Sequence, residues 1–152
     1  MPASSTAPPE AAWKHDRARD PSGDVDHEVV IVGAGFSGIG VAISLAKAGI
    51  RDFLILESGD AFGGTWQWNT YPGVAVDIPS FSYQFSFEKR TDWSRVYAPG
   101  SELRAYAERC AAKHGLPART RFGVKVEGAT FDEDRDAWRL VTAGGEELVA
   151  RH

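Results

Sequence analysis

Cysteine is almost absent from this chain of 152 residues; Cys110 is the single one. One thiol excludes an intramolecular disulfide and a Cys-rich zinc or iron–sulfur site. Histidine is nearly as scarce. His15, His27, His114 and His152 lie far apart and show no metal-ligand spacing, so no metal site is expected. No apolar run approaches the roughly 18 residues of a membrane-spanning helix. The longest, Val29 to Phe36 and Ile39 to Ala46, are broken by Gly and Ser. The N-terminus has no basic patch followed by an apolar stretch, which argues against a secretory signal. The expected location is therefore cytoplasmic, with no membrane partner. Basic charge is not in excess either: 17 Lys and Arg stand against 21 Asp and Glu, a net charge of −4. A pI near 5.5 argues against a general nucleic-acid binder. No internal repeat is visible. The Tyr-x-x-x-Lys pair of short-chain NAD dehydrogenases does not occur.

What is present is glycine and tryptophan, 16 and 5 residues. Both fit close backbone approaches and aromatic packing around a flat ligand. Residues 1–26 are rich in Pro, Ala and Ser and then in mixed charge, which predicts a flexible leader. Residues 27–152 then remain for the fold. His27 to Val32 (HEVVIV) predicts a strand buried on both faces. Gly33-Ala34-Gly35-Phe36-Ser37-Gly38 follows, and Ser37 to Ala48 has apolar residues at helical spacing. Gly49 supplies its stop, and Phe53 to Leu56 (FLIL) predicts a second buried strand, parallel to the first. Residues 58–80 hold no clear element; a loop of that length inside a domain is usually functional. Phe81 to Phe87 alternates aromatic and polar residues, as a strand or an extended wall would. Gly100 to His114 predicts a helix with Ser101 as its cap and Leu103, Tyr106, Ala107 and Cys110 on one face. Phe122 to Val126 predicts a strand. Ala129 to Phe131, Ala137 to Thr142 and Glu146 to Ala150 predict a small antiparallel meander.

The motif Gly33-x-Gly35-x-x-Gly38 directly follows a strand and opens a helix, the context that makes it a dinucleotide fingerprint. Gly33 permits the tight turn, Gly35 lets the backbone approach a pyrophosphate, and Gly38 lets helix and strand pack closely. The helix N-terminus offers free N–H groups to an anion, and Ser37 adds a polar contact. Glu57 closes the second strand, where an acid accepts hydrogen bonds from ribose hydroxyls and disfavours a 2′-phosphate. The fingerprint alone does not separate NAD from FAD. Gly63-Gly64-Thr65-Trp66-Gln67-Trp68, with Asp77 downstream, favours a ligand that extends to an isoalloxazine ring.

Three segments, GAGFSGIG, LESGDAFGGTWQWNTYPGVAVDIPSFSYQFSF and WSRVYAPGSELRAYAERCAAKHGL, resemble the N-terminal FAD-binding part of class B flavoprotein monooxygenases. Among these the chain resembles Baeyer–Villiger monooxygenases more than flavin-containing monooxygenases, through Gly64-Thr65-Trp66-x-Trp68-Asn69-x-Tyr71-Pro72-Gly73, Asp77 and Tyr83. The resemblance runs from about Glu28 to His152. It implies an α/β fold: a three-layer, Rossmann-like FAD-binding domain with a parallel sheet and a small antiparallel β meander, incomplete at its C-terminus. It implies that Gly33, Gly35, Ser37 and Gly38 hold the FAD pyrophosphate and Glu57 the adenosine ribose. Gly64, Thr65, Trp66, Gln67 and Trp68 would line the flavin side, and Tyr83 would contact the cofactor there. Asp77 would lie near flavin and nicotinamide in a supporting catalytic role, orienting an arginine. Val126 would offer its backbone to the adenine.

The implied chemistry is a Baeyer–Villiger oxidation. NADPH reduces FAD, O2 gives a C4a-peroxyflavin, and one oxygen atom enters a ketone to give an ester or lactone. The family's second glycine fingerprint for NADPH, its FxGxxxHxxxW signature and its peroxyflavin arginine are not in this sequence. The chain therefore reads as an N-terminal portion of a two-dinucleotide-domain enzyme, inactive alone, with NADPH bound outside it and a C-terminal half as partner. Two other readings remain: a flavin-containing or N-hydroxylating monooxygenase portion acting on a heteroatom, and a non-catalytic FAD-binding module. Cys110 reads as core, His114 as a charge at a helix end, and Arg119 and Arg121 as solvated.

Overall fold

The structure, a computed structural model, describes residues 25–152. The expected leader lies outside the described residues except for Val25 and Asp26. Asp26 is tied to the last strand: its N–H donates to Val149 O, and its Oδ2 accepts from Val149 N, both at 2.8 Å.

The first unit is β1 (Val29–Val32), α1 (Phe36–Lys47) and β2 (Phe53–Leu56). The strands pair in parallel, Val29 opposite Phe53 and Val32 opposite Leu56. A four-residue helical turn, α2 (Thr65–Trp68), follows, and then the longer helix α3 (Gly100–Lys113). A 3-10 turn, Leu116–Arg119, leads into β3 (Thr120–Arg121), which pairs in parallel with the end of β2. The parallel sheet has the order β1-β2-β3. The chain then builds an antiparallel meander, β4 (Val126–Asp132), β5 (Ala137–Thr142) and β6 (Glu147–Ala150). Residues 151 and 152 lie along the edge of β1 opposite β2. There Arg151 N donates to His27 O, His152 N to Glu28 O, and Val30 N to His152 O.

The apolar strands make this a three-layer arrangement because their side chains alternate between faces. Ile31, Phe53 and Ile55 join Ile39 and Ile43 of α1 and Tyr106, Ala107 and Cys110 of α3 in one core. Leu54 and Leu56, on the other face, join Leu140, Leu148 and Ala150 of the meander, with Val30 packed alongside. Complete burial of one such aliphatic side chain is worth about 1.5–3 kcal/mol, so both faces of β2 are anchored. Cys110 belongs to this core, and burial pushes its thiol above the ordinary value.

Four local expectations are corrected. Phe122 to Val126 is not one strand. Pro117 initiates a 3-10 turn, the strand falls at Thr120–Arg121, and Gly123 at φ +70° breaks it. Val126 therefore opens the meander rather than closing the parallel sheet. Phe81 to Phe87 forms no strand, because the amides of Ser82 and Tyr83 turn back to Pro79 O. Phe85 N instead donates to Tyr106 Oη at 2.9 Å, and that hydroxyl donates to Glu88 O at 2.9 Å. Ser101 does not cap α3; Pro99 occupies the cap position. Arg119 and Arg121 are not simply solvated. Arg119 lies over the Phe53 ring and donates to Arg51 O, and Arg121 forms a forked pair with Glu146 at 2.8 and 2.5 Å.

Candidate functional site

The site begins where β1 ends. Gly33 turns the chain at φ +97°, a conformation open to glycine at no steric cost. Its N–H still donates to Leu56 O at 2.8 Å, so the loop remains attached to β2. Gly38 is required by contact: a Cβ there would stand 2.0 Å from Gly33 O. Gly35, the N-terminal cap residue of α1, meets Gly64 back to back. A Cβ on Gly64 would stand 2.8 Å from Gly35 Cα, and Gly63 N donates to Ala34 O at 3.1 Å. The second glycine pair therefore packs on the first fingerprint through main chain alone.

Ile39 N is the first amide of α1 with a backbone acceptor, Gly35 O at 3.0 Å. The amides of Phe36, Ser37 and Gly38 donate to no group among the described residues. They are the open donors of a helix start, and no side chain caps them. Such a set of donors, next to backbone without side chains, is suited to an anion.

Glu57 sits at the end of β2 and is 5% exposed. Its Oε2 accepts from Ala34 N at 2.6 Å; its Oε1 accepts from Gly59 N at 2.7 Å and from Ser58 Oγ at 3.2 Å. The carboxylate thus ties the glycine loop to the turn after β2. The segment after β3 runs beside this turn, with Val124 N on Glu57 O and Gly123 N on Gly59 O. Val126 lies two residues further, at the start of β4, with its side chain against the Leu54 and Leu56 core.

An aromatic array adjoins the loop on α1. The Phe36 ring lies 5.2 Å from that of Tyr83, and Tyr83 lies 5.6 Å edge-on from Trp66. The indole N–H of Trp66 donates to Tyr83 Oη at 3.3 Å. Gln67 Nε2 donates to Asp60 Oδ1 at 2.9 Å, while its Oε1 is buried without a partner. Thr65 is exposed, its hydroxyl accepting from Asn69 Nδ2.

The structure therefore brings together Gly33, Gly35, Gly38, Glu57 and Gly64, and separately Trp66 with Tyr83. It does not join Trp68 to the array; the Trp68 ring lies against Gly59. Ser37 is exposed and lines an apolar groove of about 700 Å³ with Phe85 and Phe87. Asp77 is exposed and makes no hydrogen bond or ion pair with any described residue. Its neighbour Val76 anchors that segment by burial and by a bond to Ala98 O. Sequence reasoning missed Phe36 as the ring partner of Tyr83, and Gly59 as a seat for both Glu57 and Trp68. The glycine two places after the acid was the available signal for Gly59. Among the described residues no group of three His, Cys, Asp or Glu side chains could hold a metal ion, and no helix is long and apolar enough to cross a membrane.

Known proteins resemble this chain in sequence and in fold. The family described as an NAD(P)-binding Rossmann-like domain matches residues 31–99. A Baeyer–Villiger monooxygenase of Pseudomonas aeruginosa is 40% identical over 148 residues, which is 97% of this chain and 26% of that protein. The FAD-binding monooxygenase ktnD of Aspergillus niger is 44% identical over 116 residues, 76% of this chain and 19% of that protein. The solved structure of an oxidized steroid monooxygenase bound to NADP superposes with a TM-score of 0.77 at 35% identity, over 82% of this chain and 25% of that one. The chain spans about a quarter of the length of the curated relatives it matches. At this identity over nearly all its length, the chain is similar to about a quarter of a Baeyer–Villiger monooxygenase, and its residues 31–99 match a Rossmann-like domain.

Proposed function

We propose that residues 27–152 form the FAD-binding domain of a cytoplasmic, NADPH-dependent monooxygenase that inserts one oxygen atom from O2 into a small ketone. The single observation that carries this reading is the cradle at the start of α1: three open amides beside glycines that meet without side chains, with a buried carboxylate at the end of the next strand. These residues fit FAD. The amides of Phe36, Ser37 and Gly38 suit a pyrophosphate, and Glu57 suits a ribose diol. The orphaned Gln67 Oε1 supplies an acceptor for a ligand donor. Trp66 and Tyr83 offer aromatic surface beyond the glycines.

When bound, FAD supplies the hydride-accepting and oxygen-activating chemistry. The work of this chain is to bind and to orient. Its open amides stabilise negative charge without reorganisation, because helix and loop fix them beforehand. Gly35 and Gly64 keep the backbone bare so that a ligand can reach those amides. Asp77, exposed and unpaired, is the carboxylate proposed to orient a catalytic arginine contributed from elsewhere in the enzyme. Gly33, Gly38 and Val126 have supporting roles, the first two by shaping the loop and Val126 by presenting backbone to the adenine.

The test is a chimera. Residues 27–152 would replace the matching part of the Pseudomonas aeruginosa relative. The reading predicts a protein that holds FAD and couples NADPH oxidation to ester formation from a ketone. A folded chimera that holds FAD without oxygenation would instead favour a binding module, and one that holds no FAD would overturn the reading.

A further inference from the structure

Among the described residues, Tyr106 of α3 is the largest side chain that the fold buries completely. Phenylalanine would fill the same space. A hydroxyl taken out of water costs free energy unless it is bonded, and this one is bonded twice. It accepts from Phe85 N and donates to Glu88 O, each at 2.9 Å. Neither partner belongs to α3. Glu88 N donates to Phe85 O at 3.1 Å, so residues 85–88 form one turn, and the hydroxyl bridges the two backbone groups at its outer ends. Burial pushes the hydroxyl above its ordinary value, so it keeps the proton that it donates.

The two ends of this turn are secured differently. At one end the Glu88 carboxylate is also held by Lys113 Nζ at 2.6 Å and His114 Nε2 at 3.2 Å. At the other, the Phe85 amide rests on the Tyr106 hydroxyl, and its ring leans on Phe36 at 5.4 Å. Tyr83 lies two residues before Phe85, and its ring rests on the same Phe36 at 5.2 Å. Upstream, the Tyr83 amide is fixed on Pro79 O and Ser80 O. Downstream, the tie to the core is the bond from Phe85 N to Tyr106. Two residues span at most about 7 Å, so a shift of the Phe85 amide reaches Tyr83 directly. The Tyr106 ring has a separate contact, 5.8 Å from Phe36, which opens α1 and carries one of the three open amides. The ring thus supports the anion cradle, and the hydroxyl supports the segment that bears Tyr83.

We infer that Tyr106 is a positioning residue of the cofactor site, whose hydroxyl fixes the Phe85–Glu88 turn and thereby seats Tyr83 against the flavin half of FAD. This rests on the FAD reading above, in which Tyr83 faces that half. Tyr106 itself touches no ligand; it acts from the core through the backbone of residues 83–88. ADP lacks the flavin half, so the effect of the hydroxyl separates the two ligands.

The test compares the 152-residue chain with its Tyr106→Phe and Leu116→Ala variants by equilibrium binding of FAD and of ADP, with circular dichroism to check the fold. Tyr106→Phe keeps the ring and removes the hydroxyl. Loss of one positioning hydrogen bond predicts roughly tenfold weaker FAD binding, with ADP binding unchanged. Leu116→Ala opens a cavity in the same core, away from the turn, and controls for stability alone. It should leave the ratio of FAD to ADP affinity at the wild-type value. Equal weakening of both ligands in Tyr106→Phe, or no weakening of either, would overturn the inference while leaving FAD binding by the wild type intact. The same split between ligands in Leu116→Ala would also overturn it, because loss of stability would then suffice. A folded wild-type chain that binds neither ligand would remove the FAD reading itself, and the inference with it.

Discussion

The stretches on either side of Gly64 treat their large apolar side chains in opposite ways. Before it, Ile31, Ile39, Ile43, Phe53, Ile55, Leu56 and Phe62 are all buried, and among the described residues only the large apolar side chains of Val32 and Val41 stand out into solvent. After it, between Thr65 and Tyr97, Trp68, Tyr71, Ile78, Phe81, Val96 and Tyr97 are exposed, Phe81 by 63% and Tyr71 by 60%. The first stretch is secured by its core, so what it offers a ligand is main chain and one carboxylate. The second is secured at a few points, such as Ser80 Oγ on Val96 O and Tyr106 Oη on Glu88 O, and it offers aromatic faces. Rigid donors and adaptable apolar surface are thus divided between consecutive segments.

The sharpest way to break this contrast is Gly38→Ala. The added carbon would meet Gly33 O at 2.0 Å, and backbone on both sides has no room to yield. A destabilisation of about 4 kcal/mol or more is expected, visible as a large drop in the urea midpoint. A loss below about 1 kcal/mol would mean that the loop is not close-packed. Glu57→Ala should come next. It strands the amides of Ala34 and Gly59, at about 1–3 kcal/mol for each buried donor left unpaired. Unfolding curves should show this loss with no ligand present, which separates the structural tie from any role toward ribose.

In the second stretch the effects should shrink. Tyr83→Phe removes the acceptor for Trp66 Nε1 and should cost about 1 kcal/mol, with the ring packing on Phe36 kept. A loss as large as that from Gly38→Ala would show that the aromatic array, too, is structural. The smallest effect concerns pH. Burial raises the Glu88 carboxyl, but hydrogen bonds from Lys113 and His114 outweigh it and hold the group below its ordinary value of 4.5. A lowered folded value means stability that is present above the unfolded value and lost as pH falls through the folded one. Glu88→Gln should therefore unfold more easily at neutral pH, and its difference from the wild type should vanish in acid. A difference that persists in acid would assign it to packing.

How much of this was legible beforehand follows from the range of the interactions. The β1–α1–β2 unit, α3 and the meander each carry their own periodicity, and the glycine spacing locates the loop without tertiary information. α2 spans four residues, too few for a periodic signal. β3 was displaced by a 3-10 turn that Pro117 and Gly123 define only in retrospect. The aromatic alternation from Phe81 to Phe87 mimicked a strand, but Tyr83 and Phe85 pack on Phe36 of α1, and Phe85 also on Tyr106 of α3, instead of alternating across a sheet. The separation of Trp66 from Trp68, and the place of Gly59 between Glu57 and Trp68, depend on contacts across the fold that spacing does not encode. For Asp77 the sequence offered a role, and the described residues supply it with no partner.

The most direct test of the central claim is a titration of the 152-residue chain with FAD, beside Gly35→Val, with circular dichroism on both. A Cβ at 35 would lie 3.4 Å from Gly64 Cα, so the two added methyl groups of valine must enter the bare cradle. The account predicts saturable binding of one FAD per chain, lost in the variant while its helical signal remains. A folded wild-type chain without saturable binding, or equal affinity in Gly35→Val, would contradict it.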